Sequence, residues 1–351
     1  MQRAVRTCTT TVAQQQRRVL SKSRIMNLQN EESSRPETAG FWFQELVTPT
    51  FSTSVRLRKI MHQSKSEFQD MSVIETADFG KTLVLDDKTQ SAQKDEKIYH
   101  ESLVHPAMLA HKCPRTVYIG GGGELATARE VLRHPCVEKV VMVDLDKAVV
   151  DVSAELLPEW GDGCLDDPRL ELHYTDAKAF LENWEGKPFD VIIMDIADPI
   201  EAGPGVMLYT VDFYKNMKNK MAPGAVFTTQ SASAGLLAHD ECFTVINRTL
   251  REVFDNVFPS SVEIPSFGAN WGFHVAYDNT ADEQLKPVSP LEVLPEEFDA
   301  RIEERKLEAK RPLYFLDGVS HRGIFGVAKW LRKACAAEER IMTAENPIYF
   351  F

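Results

Sequence analysis

Five carboxylates stand where apolar runs of this sequence end. Glu124 follows Thr116–Ile119 and four glycines, and Asp144 closes Val137–Val143. Asp176 comes just after Leu170–Tyr174, while Asp195 closes Phe189–Met194 with Asp198 in the same loop. Crowded carboxylates are unfavourable unless cations neutralise them. Six cysteines without a C-x-x-C pair and nine histidines without H-x-x-x-H spacing supply no metal framework. His100 and His105 lie off one another's helix face. The expectation is therefore no metal and no cofactor, with an organic polycation as the ligand. An alkylamine, with an ordinary pKa of about 10.4, arrives protonated at neutral pH, so a carboxylate can both hold it and take its proton.

Acids at strand ends also cap the following helix, and Asp146 and Asp176 are placed to do so. Capping accounts less well for Glu124, or for two acids flanking Ala197 before Pro199. A diphosphate in the glycine loop would meet the charge of Glu124, which argues against a dinucleotide. The acid after the second strand, Asp144, suits a ribose, whose hydroxyls a carboxylate accepts.

The elements that must position these acids are short apolar strands separated by helical spacing, with helices over about 99–110, 146–157 and 177–184. Further strands are read at Gly224–Thr229, Ser261–Ile264 and Gly272–Tyr277. This is the pattern of an α/β, Rossmann-like (methyltransferase-type), mostly parallel doubly wound sheet, in which ligands bind outside the carboxyl ends of the strands. Before it, Val55–Ile60, Phe68–Ile74 and Thr82–Leu85 alternate with period two, predicting a small antiparallel β domain. The domains are read as a tail (1–40), the β domain (41–95), the Rossmann-like domain (96–285) and a helical extension (286–351). Helices are expected there at about 296–310 and 323–338, and the apolar Ile348–Phe351 is expected to pack on the main domain or across a dimer interface.

A chain of 351 residues, 43% hydrophobic and 26% charged, buries a sizeable core. Its formal charge of −12 disfavours nucleic acid and favours neutral or cationic small molecules. No apolar run approaches the ~20 residues of a membrane span. The scattered cysteines suit a reducing compartment, and the expected location is cytoplasmic. Residues 1–40 carry Arg3, Arg6, Arg17, Arg18, Lys22 and Arg24 with no acid before Glu31. That composition fits a disordered tail, with an organellar transit peptide as the alternative.

Gly-Gly-Gly-Glu124 with Thr127-Ala-Arg-Glu130, preceded by Tyr99-His-Glu101 and followed by Asp195-Ile-Ala-Asp-Pro199, resembles the polyamine aminopropyltransferases, the spermidine and spermine synthase family. The likeness covers about residues 41–278, including Phe68-Gln-Asp70 and Trp271-Gly-Phe273. The Gly-Gly-Gly-Glu variant, the Asp195–Pro199 loop, Leu316–His321 and Glu345-Asn-Pro347 are most like its thermospermine synthase branch. The resemblance implies decarboxylated S-adenosylmethionine as a co-substrate, with a polyamine, spermidine first, as acceptor. It further implies that Asp144 holds the ribose, Asp176 with Ala177 the adenine, and that Gln69 and the loop at Gly121 also touch the donor. Glu124 and His100 should lie near the donor's aminopropyl end. Asp195 should be the base, with Tyr99 and Asp198 positioning the acceptor amine beside Phe267 and Trp271. A homodimer or homotetramer through the β domain is implied as well.

Two positions depart from the family. Leu125 stands where many members have glycine, so the backbone there is expected to suit a residue with a Cβ. Phe267 replaces a frequent tyrosine. The rival readings are a spermine or spermidine synthase, a methyltransferase using intact S-adenosylmethionine, and a polyamine-binding scaffold without activity.

Overall fold

The computed structural model describes residues 40–200 and 205–350. The reading of 1–40 as a disordered or targeting tail lies outside the described residues, apart from Gly40. Five strands open the chain: β1 (Phe41–Thr48), β2 (Phe51–Lys65), β3 (Asp70–Thr76), β4 (Gly80–Leu85) and β5 (Lys88–Ala92). They pair antiparallel in the order β1-β2-β3-β4-β5. Side chains tie the two edges together, because Glu45 accepts Thr89 N–H at 2.9 Å and Lys88 donates to Leu46 O at 2.6 Å. Met71, Val73 and Leu83 of this sheet pack on Trp160, Leu157 and Val149 of the body that follows.

That body alternates α1 (Glu96–Ala110), β6 (Thr116–Gly121), α2 (Ala126–Leu132), β7 (Lys139–Asp144), α3 (Lys147–Leu156), β8 (Leu170–Tyr174), α4 (Ala177–Glu182) and β9 (Phe189–Asp195). It continues through α5 (Val211–Lys218), β10 (Met221–Ser233), α6 (Phe243–Leu250), β11 (Asn256–Ile264) and β12 (Ala269–Tyr277). The seven strands are ordered β11-β12-β10-β9-β6-β7-β8. β8 through β10 run parallel, and β12 is antiparallel to both of its neighbours. Strand order reverses between β6 and β9, the place where such sheets bind ligands. Two buried clusters cover the two faces, which is why the central strands read as unbroken apolar runs.

Several predicted elements change in extent. The strand expected from Phe68 starts at Asp70, the one expected at Gly224–Thr229 runs Met221–Ser233, and the helix expected over 296–310 is α7 (Pro295–Glu304). The helix expected over 323–338 is two helices, α8 (Gly318–Phe325) and α9 (Lys329–Ala337), separated at Gly326. No helix among the described residues is long and apolar enough to cross a membrane.

Candidate active site

The switch point opens into a cleft between the two sheets. Its wall includes all five acids, together with Gln69, Tyr99, Gly121, Ala177, Phe267 and Trp271. Gly121 sits opposite Asp195 in the β6–β9 ladder with φ +80, and a Cβ there would come 2.2 Å from Asp195 O. Only glycine allows the two strand ends to approach so closely.

Asp195 has both carboxylate oxygens held by the protein. Tyr99 donates its hydroxyl to Oδ1 at 2.8 Å and Thr127 donates to Oδ2 at 2.5 Å. Each carboxylate oxygen has two lone pairs, so each can still accept from a ligand. Burial first, and then the nearby charge of Glu124, pushes Asp195 up to about 6. Burial likewise pushes Asp198 and Asp144 up to about 7. Asp198 accepts from Gln230 Nε2 at 3.0 Å, and Trp271 Nε1 donates to Gln230 Oε1 at 3.2 Å. Gln230 thus fixes the Asp198 loop and the Trp271 ring together. Phe267 lies edge-on between Tyr99 and Trp271, with ring centroids 5.8 and 4.7 Å away.

At the other end, Asp144 accepts the N–H of Asp146 at 2.8 Å. Asp146 does cap α3, through Ala148 N–H, but it also accepts Gln69 Nε2 at 3.0 Å and Ser66 Oγ at 2.5 Å. One acid therefore fastens the β domain's loop to the helix that follows Asp144. Asp176 caps α4 through Lys178 and Ala179 and also lines the cleft.

His100 is fully buried and reaches the cleft only through Glu124, whose Oε1 lies 2.8 Å from its Nε2. Its Nδ1 lies 2.6 Å from Glu96 O and 3.1 Å from Glu96 Oε2. Burial opposes charge on this ring, but the hydrogen bonds to Glu124 and Glu96 prevail and push it up to about 10. His100 is thus an imidazolium that donates from both nitrogens. The rim is therefore not wholly without a protein cation, as the count of acids suggested: Glu124 carries its own. His100, Glu124 and Asp195 offer ligand atoms within 4.8 Å of one another.

Leu125 corrects an expectation. Its φ is +76, the left-handed conformation that glycine favours, not one suited to a Cβ. Its side chain is buried, with Cβ 3.2 Å from the position a Gly161 Cβ would take. Burying a leucine is worth about 1.5–3 kcal/mol, against about 1–2 for a left-handed residue.

Sequence reasoning left Thr127 and Gln230 without roles. A signal existed for Gln230: Thr228, Thr229, Gln230 and Ser231 are consecutive polar residues, all buried, in a central strand, a place where polar side chains need partners.

Comparisons with known proteins identify the family. The family model for the spermine/spermidine synthase domain matches residues 96–286, and that for the spermidine synthase tetramerisation domain matches 41–93. A polyamine aminopropyltransferase of Aeropyrum pernix is 42% identical over 308 residues, spanning 88% of this chain and 95% of that one. Thermospermine synthase ACAULIS5 of Arabidopsis thaliana is 41% identical over 306 residues, spanning 87% of this chain and 86% of that one. A crystal structure of spermidine synthase in complex with the transition state analogue AdoDATO superposes with a TM-score of 0.74 at 25% identity, covering 88% of this chain and 99% of that chain.

Proposed function

The chain belongs to the spermine/spermidine synthase family and is a polyamine aminopropyltransferase, and from that premise we propose that it transfers the aminopropyl group of decarboxylated S-adenosylmethionine to spermidine, giving thermospermine and methylthioadenosine. The observation that carries the reading is Asp195: a buried carboxylate held by Tyr99 and Thr127, pushed up to about 6, at the junction of the two halves of the cleft.

In this reading Asp144 takes the ribose hydroxyls and Asp176 with Ala177 borders the adenine. Gln69 covers the donor from the β domain. Glu124 attracts the donor's ammonium and disfavours a donor that keeps its carboxylate, while His100 holds Glu124 in place. The acceptor's methylenes lie along Phe267 and Trp271 and its ammonium groups meet Asp195 and Asp198. Asp195 takes a proton from the reacting ammonium, whose freed lone pair attacks the propyl carbon bound to sulfur. The C–S bond breaks, its electron pair returns to sulfur, and methylthioadenosine leaves neutral as the new C–N bond forms. Fixing both reactants in line supplies much of the acceleration.

The match of residues 41–93 to a tetramerisation domain, with Phe41, Trp42 and Phe51 exposed on β1 and β2, supports a homodimer or homotetramer joined through that sheet. A cytoplasmic enzyme acting on small molecules fits these features. The test is incubation with the decarboxylated donor and spermidine, followed by chromatography that resolves thermospermine from spermine. Thermospermine is the expected product. Spermine alone would reassign the alkylated end, and S-adenosylhomocysteine from the intact donor would favour a methyltransferase.

A further inference from the structure

Beyond Trp271 the cleft wall is completed by Phe350, from the segment that follows the last helix. Its backbone N–H donates to Pro199 O at 2.8 Å, and it forms a parallel bridge with Ile200. The segment is therefore latched to the loop that carries Asp198. The Phe350 ring is buried, edge-on to Trp271 with centroids 6.3 Å apart, and Lys88 Nζ stands 5.8 Å from its centre. Tyr99, Phe267, Trp271 and Phe350 thus form a row of successive edge-to-face rings. Asp195 hydrogen-bonds the first ring of this row, and Gln230 links Asp198 to the third.

A row of rings bordered by spaced carboxylates matches a chain of methylenes broken by ammonium groups, since ring faces accept both apolar contact and cations. The end of the row already holds a cation of the protein's own. Lys88 lies close enough to Asp198 and Glu45 to favour their charged forms, and so takes up attraction that a further ammonium would otherwise find there.

Building on the aminopropyl-transfer reading, we propose that Phe350, latched to the Asp198 loop and faced by Lys88, is the end stop of the acceptor groove. It is a specificity-determining residue that admits a triamine and excludes a longer tetraamine. The ring supplies the steric limit, and Lys88 already stands where a further ammonium would have to sit.

The experiment measures kcat/KM for putrescine, spermidine and spermine as acceptors with the wild type, Phe350→Ala and Phe350→Leu. The donor KM is followed in parallel. The wild type should use spermidine well and spermine poorly. Phe350→Ala should raise the spermine-to-spermidine ratio by about tenfold or more, the scale on which pocket size discriminates. Phe350→Leu keeps more of the apolar volume and should raise the ratio less, with the donor KM unchanged in both. A purely structural role would lower all three acceptors together and leave the ratio fixed. That result in folded Phe350→Leu, or a wild type that uses spermine as well as spermidine, overturns the end stop. Wild-type transfer to no amine at all would remove the aminopropyl-transfer reading and this inference with it; transfer with an unchanged ratio removes this inference alone.

Discussion

Helix α1 lies between two groups of buried charges that obey opposite rules. On one side, Glu96 pairs with Arg129 at 2.8 Å, and Glu130 meets Arg129 at 2.7 Å, His105 at 3.1 Å, Arg133 at 3.4 Å and Arg311 at 3.5 Å. Burial opposes ionisation of Glu96 and Glu130, but His105, His100 and the arginines prevail and hold both carboxyls below their usual range. On the cleft side, burial drives Asp195, Asp198 and Asp144 upward, and the protein cations there, His100 beside Glu124 and Lys88 near Asp198, do not offset it. The first group is complete within the chain. The second is complete only when a cation enters, and that imbalance marks the site more clearly than the acids' number does.

The two groups separate most sharply under mutation. Arg129→Met leaves Glu96 and Glu130 buried with fewer partners and should cost about 3–5 kcal/mol of stability, read by denaturant unfolding, while the folded fraction keeps its kcat. Asp195→Asn should do the reverse. It should melt no lower than the wild type at neutral pH and lose about a hundred- to ten-thousandfold in kcat, the range that a positioned base supplies. Equal losses of stability in both variants would erase the distinction.

Acid and base act on the groups with opposite signs. Carboxyls held low in the fold, Glu96 and Glu130, contribute stability above the ordinary carboxylate range that is lost as pH falls. Carboxyls held high, Asp195, Asp198 and Asp144, keep their protons to about 6 or 7 when folded but release them near 4 when unfolded, so they withdraw stability as pH rises across that window. His100, held at about 10, adds stability that is fully present below its ordinary 6.5 and fades as pH rises toward 10. Melting curves from pH 4 to 8 should therefore show a decline toward pH 7 that spermidine suppresses and that Asp198→Asn reduces.

Glu124 gives a smaller effect. Like charges about 4 Å apart repel by roughly 4 kcal/mol at an effective dielectric of 20, and the His100 partner takes part of that away. Glu124→Gln should narrow the preference for the decarboxylated over the intact donor; an unchanged preference in competition assays contradicts its role as a selector.

Much of the frame was legible because parallel strands buried on both faces write themselves as apolar runs, and each run here ends on its acid. The β domain was read less fully. β5, Lys-Thr-Gln-Ser-Ala, is almost without apolar residues and β1 does not alternate in burial, since both are edge strands of a half-exposed sheet. The pairing of His100 with Glu124, and the bond from Gln230 to Asp198, span 24 and 32 positions, so no local spacing carries them. Leu125 was misjudged because its left-handed backbone is offset by packing that only the fold brings to it.

The most direct test is the proton count when spermidine binds at pH 6.5, by calorimetry in buffers of different ionisation enthalpy. Asp198 at about 7 is then mostly protonated and Asp195 at about 6 partly so, and an entering ammonium displaces those protons. The account predicts net release of about one proton per spermidine, and a clearly smaller release in Asp198→Asn. Binding with no proton release would mean that the cleft carboxylates are not waiting for a cation.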